Sequence, residues 1–93
     1  MRRIEQTTRF KKDFKREMKG QNKTALQTVF VEVVTALIAD DPLEPARYDH
    51  ALSGDWADHR DCHIKPDLIL IYRKPDDEVL QLVRIGSHSE LGW

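Results

Sequence analysis

Four histidines and a scatter of aspartates carry the chemistry open to this 93-residue chain. His50, His59 and His63 lie within HALSGDWADHRDCHIKPD, residues 50–67, together with Asp61, Asp67 and the single cysteine, Cys62; His88 comes later, in RIGSHSEL. Imidazoles titrate near pH ~6.5, so at neutral pH one can take a proton while another gives one. Histidines and carboxylates without an activated serine or cysteine suit cleavage of RNA by its own 2′-hydroxyl. One group removes the 2′-proton, a second protonates the departing 5′-oxygen, and a cation such as Arg84 or Lys65 offsets charge on the phosphate. An aspartate beside a histidine fixes its tautomer.

Two plainer readings compete with this one. His59, Cys62 and His63 could ligate zinc with His50 or His88 as a fourth ligand. On a strand, however, Cys62 points away from His59 and His63, and the chain has no second cysteine and no HExxH motif. Alternatively the histidines are surface residues in ordinary hydrogen bonds, and that is the preferred reading of His59.

The elements that must position these groups follow from periodicity. Residues 2–6 form a short first strand, and Thr7 or Thr8 can cap the helix that follows. Phe10, Phe14 and Met18 recur at helical spacing from Arg9 to Lys19 with lysines on the opposite face, and Gly20 offers a left-handed stop. A second helix runs from Asn22 or Thr24 to about Ala39 on the broad apolar face of Leu26, Val29, Phe30, Val33, Leu37 and Ile38; Thr24 and Gln27 have capping-box spacing. Asp40-Asp41-Pro42 ends it, and residues 40–55 read as a loop.

Three strands then follow at 57–64, 68–73 and 79–85, joined by the turns Lys65-Pro66-Asp67 and Lys74-Pro75-Asp76-Asp77, so they form an antiparallel meander. LILIY (residues 68–72) is apolar throughout and should be the central strand, covered on both faces. Alternation puts His59, Asp61 and His63 on the open face of the first strand, with Arg60, Cys62 and Ile64 toward the helices. His50 from the loop, Asp67 from the turn and His88 after the last strand can then converge on one surface. The fold class is α+β: one domain, residues 1–93, with a short strand and helical hairpin packed on a small antiparallel sheet.

Composition limits the rest. Ninety-three residues make one modest core. No apolar run approaches the roughly 20 residues of a bilayer span, and MRRIEQTTRF lacks the apolar stretch of a secretory signal. A lone cysteine fits the reducing cytoplasm. Residues 1–23 carry nine Lys/Arg against three Asp/Glu (+6) and the remaining seventy carry six against thirteen (−7), giving the net −1. That basic front end suits an anionic partner, nucleic acid or an acidic polypeptide; it also fits a solvated helix face made by Lys11, Lys12, Lys15, Arg16 and Lys19.

HALSGDW, RDCHIKPDLILIY and RIGSHSEL, in that order and at these separations, resemble the YafQ branch of the RelE-type bacterial toxins. The resemblance spans the chain and is strongest in its C-terminal half. It implies a βααβββ fold and a ribosome-dependent endoribonuclease that cuts mRNA in the A site of the 70S ribosome. It also implies no metal or other cofactor, a cyclic phosphate on the upstream fragment, and no association with membranes. A cognate DinJ- or RelB-like antitoxin of ribbon-helix-helix type would hold the toxin inactive, and operator DNA would be reached only through that complex.

Carried over residue by residue, the acid–base and phosphate-contacting positions fall on His50, Asp61, His63, Asp67 and His88. His88 would be the general acid, His50 or His63 the base, and Asp61 and Asp67 would orient imidazoles or ribose. RNA would be bound through Arg47, Arg60, Lys65 and Arg84. Trp93 of Leu91-Gly92-Trp93 stands in for the family's C-terminal aromatic as a stacking group. The acidic bulk departs from the basic character usual in ribosome-binding toxins. A non-catalytic toxin similar to the ParE-type gyrase poisons is the alternative, but a protein-binding toxin has no need of three convergent imidazoles.

Overall fold

A computed structural model describes all 93 residues. Four helices pack with a five-stranded sheet of order β1-β5-β4-β3-β2. In chain order the elements are β1 (Arg3–Gln6), α1 (Thr8–Met18), α2 (Lys23–Gln27), α3 (Val29–Ile38), β2 (His50–Ala51), β3 (Arg60–Lys65), β4 (Leu68–Arg73), β5 (Val79–Gly86) and α4 (His88–Leu91). β2 to β5 pair antiparallel with their neighbours as a meander, whereas β1 joins the far edge parallel to β5, pairing Ile4 with Leu80. The sheet is therefore mixed at one edge. It is also extended at the other by β2, inside the stretch expected to be loop.

Thr7 caps α1, its hydroxyl accepting from the Phe10 N–H at 3.0 Å. The predicted aromatic stripe closes against α3: the Phe14 and Phe30 rings lie 5.4 Å apart, and Phe10 and Phe30 6.2 Å. The helix ends as Lys19 and Gly20 donate to the carbonyls of Arg16 and Glu17. Gly20 does not take the expected left-handed conformation.

The expected second helix is two. Thr28 (φ −123°, ψ −84°) leaves helical geometry, and its hydroxyl donates back to the Thr24 carbonyl at 2.8 Å, a local bond of the kind that bends helices. The Thr24–Gln27 capping box does not form, because α2 begins at Lys23, two residues too early for Thr24 to be its cap. Asn22 holds that place without a side-chain capping bond and reaches instead to Glu17.

One sheet face meets the helices. Phe10, Leu26, Val33 and Leu37 enclose Cys62, Ile64, Leu70, Tyr72 and Ile85 there. On the other face Ile69 and Ile71 are also wholly buried, so LILIY is covered on both sides as expected. Register places Ile71 opposite Asp61 and Ile69 opposite His63, and those two polar residues share that second face. No helix is long and apolar enough to cross a membrane.

Candidate active site

β3 positions the centre of the site. Asp61 and His63 project on the face away from the helices, while Cys62 and Ile64 are buried in the core. Burial pushes the Cys62 thiol up, which leaves it unreactive. With Cys62 on the opposite side of the strand from His63, the ligand set imagined for zinc does not assemble; no three His, Cys, Asp or Glu residues converge as a metal cluster. His59 lies before the strand. Asp58 is left-handed (φ 74°) and the chain is still turning, so β3 starts at Arg60 rather than at residue 57. The His59 ring instead meets Trp56 edge-on at 5.2 Å and its Nδ1 bonds the Ala57 carbonyl.

His50 comes from β2, directly opposite Asp61 in the β2–β3 ladder. Its Nδ1 lies 2.8 Å from the Tyr48 carbonyl and 3.0 Å from Asp61 Oδ1. Both neighbours are acceptors, so Nδ1 carries the proton and Nε2 is left for substrate. That single proton goes to Tyr48, and Asp61 Oδ1, although close, is buried without a hydrogen bond. Burial accordingly raises the Asp61 carboxyl above its ordinary range, against the opposing charges of His50, His63 and His88.

His88 begins α4. Ser87 and Glu90 close a capping box on this short helix, with the Ser87 N–H donating to Glu90 and the Glu90 N–H to Ser87. The His88 N–H and its Nδ1–H both donate to Asp67 Oδ1, at 2.9 and 2.6 Å. The backbone bond first, then the imidazole, holds the Asp67 carboxyl below its ordinary range, so it stays ionised. Here too Nε2 is the free nitrogen. His63 completes the set: its ring lies 5.8 Å from that of His88 and 5.6 Å from that of Tyr48. The structure thus brings together His50, Asp61, His63, Asp67 and His88.

The expected RNA-binding residues divide. Arg47 Nη1 donates to the His63 and Ile64 carbonyls at 3.3 and 2.8 Å, so it braces β3. Arg60 donates to Asp49. Arg84 is engaged by buried Asp13, Nε to Oδ2 at 2.7 Å, whereas exposed Lys65 is bonded only to the Asn22 amide oxygen. Trp93 folds back after left-handed Gly92, its N–H on the His88 carbonyl and its ring 6.4 Å from Trp56.

Sequence reasoning missed three supports. Asp49 accepts from the buried Tyr72 hydroxyl at 2.6 Å and so pins the residue before His50. Arg16 ties α1 to the site through Asp13, Glu17, Glu90 and the Ile85 carbonyl. Tyr48 touches two of the histidines. An exposed aromatic two residues before a histidine was the available signal for Tyr48; the other two arise from pairings distant in sequence.

Comparison with known proteins decides the family. The profile described as "Bacterial toxin of type II toxin-antitoxin system, YafQ" matches residues 2–92. The chain belongs to the YafQ toxin family. Among YafQ relatives, the mRNA interferase toxin YafQ of Escherichia coli K12 is 45% identical over 60 residues, 63% of this chain and 64% of that protein, so the match spans under two thirds of the relative's length. A copper-bound mutant toxin from Helicobacter pylori superposes with a TM-score of 0.86 at 41% identity, over 98% of this chain and 99% of that one. The E. coli DinJ–YafQ complex gives 0.81 at 35% identity, over 98% of both chains.

Proposed function

We propose that this YafQ-family toxin is an endoribonuclease that cuts mRNA in the ribosomal A site by acid–base chemistry without a metal. One observation carries the reading. His50 and His88 each have Nδ1 turned onto an oxygen, the Tyr48 carbonyl and Asp67, which leaves both Nε2 atoms free to meet RNA. His50 or His63 takes the proton of the 2′-hydroxyl, the 2′-oxygen attacks phosphorus, and the bond from phosphorus to the 5′-oxygen breaks. His88 Nε2 protonates the leaving 5′-oxygen, which leaves a cyclic phosphate on the upstream fragment and a 5′-hydroxyl downstream. Ionised Asp67 offsets the imidazolium charge that His88 carries as acid. Lys65 lies in the same turn and can meet the phosphate.

A cognate antitoxin of ribbon-helix-helix type neutralises the toxin in the cytoplasm, and operator DNA is bound only through that complex. The complex of the related E. coli toxin with DinJ supports this partner class.

The test is mRNA cleavage on programmed ribosomes by wild type and by His50→Ala, His63→Ala and His88→Ala. Wild type should cut at a defined codon position, and His88→Ala should lose about 100-fold or more while keeping its fold and its antitoxin. Undiminished cleavage by His88→Ala would remove it as the acid, and an inactive wild type would turn the reading toward a gyrase-type binder. A copper-selective chelator, which leaves ribosomal magnesium in place, should change nothing. Loss of cutting restored by copper would overturn metal independence and bring the site toward its copper-bound Helicobacter relative.

A further inference from the structure

Tyr48 is unlike any other residue near the site. It is 68% exposed, yet its backbone is left-handed (φ 49°, ψ 44°) at the end of the tight 3₁₀ turn Pro45–Arg47. A bulky side chain is strained in that conformation, which glycine or asparagine takes readily. Its ring buries too little to serve the core. Both ends of the residue nevertheless meet the catalytic groups: the carbonyl takes the His50 Nδ1–H at 2.8 Å, and the ring lies 5.6 Å from His63, inclined by 63°. Beside the ring opens a cavity of about 530 Å³, walled by Val29 and Pro66 and bordered by Arg47, Lys65 and His63.

We propose that Tyr48 and this cavity form a nucleobase subsite, in which a base of the A-site codon stacks on the tyrosine ring next to His63. The inference rests on the mRNA-cleavage reading and adds to it a second place where the substrate is held, separate from Trp93. Trp93 packs on Trp56, whereas Tyr48 contacts His63 and His50, so the two aromatics belong to different ring clusters. The cavity is apolar enough to take the face of a base, and Lys65 and Arg47 at its border suit the attached phosphates. Because the Tyr48 carbonyl sets the His50 tautomer, a stacked base would be fixed relative to the group that handles the 2′-proton.

Tyr48→Asn removes the ring and retains a residue at ease in the left-handed region. On ribosomes programmed with mRNA carrying 2-aminopurine at each A-site codon position in turn, and a 2′-O-methyl block at the cut, wild type should quench fluorescence at one position. Tyr48→Asn should lose that quenching and need roughly 10-fold or more toxin for half-maximal cleavage of unblocked mRNA. Tyr48→Phe should recover most of both.

Equal cleavage and quenching by Tyr48→Asn and wild type would overturn the subsite, as would a Tyr48→Phe defect as deep as that of Tyr48→Asn. Loss of antitoxin binding by Tyr48→Asn with cleavage intact would assign the ring to a protein contact and likewise overturn it. Should wild type cut no mRNA, the cleavage reading falls separately, and the subsite is judged on the quenching alone.

Discussion

Asp13 and Asp61 are equally buried, each 3% exposed, and they titrate in opposite directions. Burial alone would raise both. At Asp13, hydrogen bonds from Arg84, the Ile85 N–H and Arg16 outweigh it and hold the carboxyl below its ordinary range. At Asp61 burial prevails, because one oxygen has no hydrogen bond and the nearby imidazoles offset it only in part. The first site is a scaffold joint between α1 and β5, satisfied on every side. The second is left short of partners beside three histidines. Burial therefore does not separate a structural carboxylate from a candidate catalytic one; the completeness of its hydrogen bonding does.

The comparison can be broken most forcefully at the joint. Asp13→Asn should destabilise the fold by about 3 kcal/mol in urea unfolding, the lower end for breaking a buried pair, since Arg16 keeps contact with solvent. Loss below ~1 kcal/mol would mean that the network is no joint.

Asp61→Asn is the converse. Cleavage should fall about 100-fold, while stability holds or rises by about 1 kcal/mol as an unpaired buried charge is removed. A variant both inactive and unstable would place Asp61 with Asp13.

A finer test is pH. The folded Asp13 pKa lies below its unfolded value near 3.8, so its contribution is present above that pH and is lost as pH falls through the folded pKa. The folded Asp61 pKa lies above 3.8, so relative stability is full below that pH and is lost as pH rises through the folded pKa. Unfolding free energies measured against pH should therefore show the Asp13→Asn deficit shrinking toward acid. The Asp61→Asn advantage should grow toward neutrality. Parallel curves would erase the distinction.

Most of the architecture was legible because it is local. The Phe10/Phe14/Met18 spacing, the LILIY run and the two proline turns each specify an element within a few residues. What escaped is non-local or hydroxyl-driven: the parallel pairing of β1 with β5, the two-residue β2, and the break at Thr28. Alternation along β3 placed Asp61 and His63 together, as the structure has them. It carried His59 along wrongly, because the left-handed turn at Asp58 delays the start of the strand to Arg60. The Asp13–Arg16–Arg84 network was invisible for a simple reason: hydropathy assigns charged residues to the outside, and only the fold shows two acids of α1 turned inward.

β2 contains only His50 and Ala51, and it lies at the open edge of the sheet. Its two pairings with β3 can separate at far lower free energy than global unfolding, as sheet edges do. When they part, His50 leaves Asp61 while β3, α4 and the core stay folded. On the mRNA-cleavage reading, opening of this edge would convert the assembled site into a disarmed form of the same fold. A molecule that holds this edge open would silence the site without occupying it.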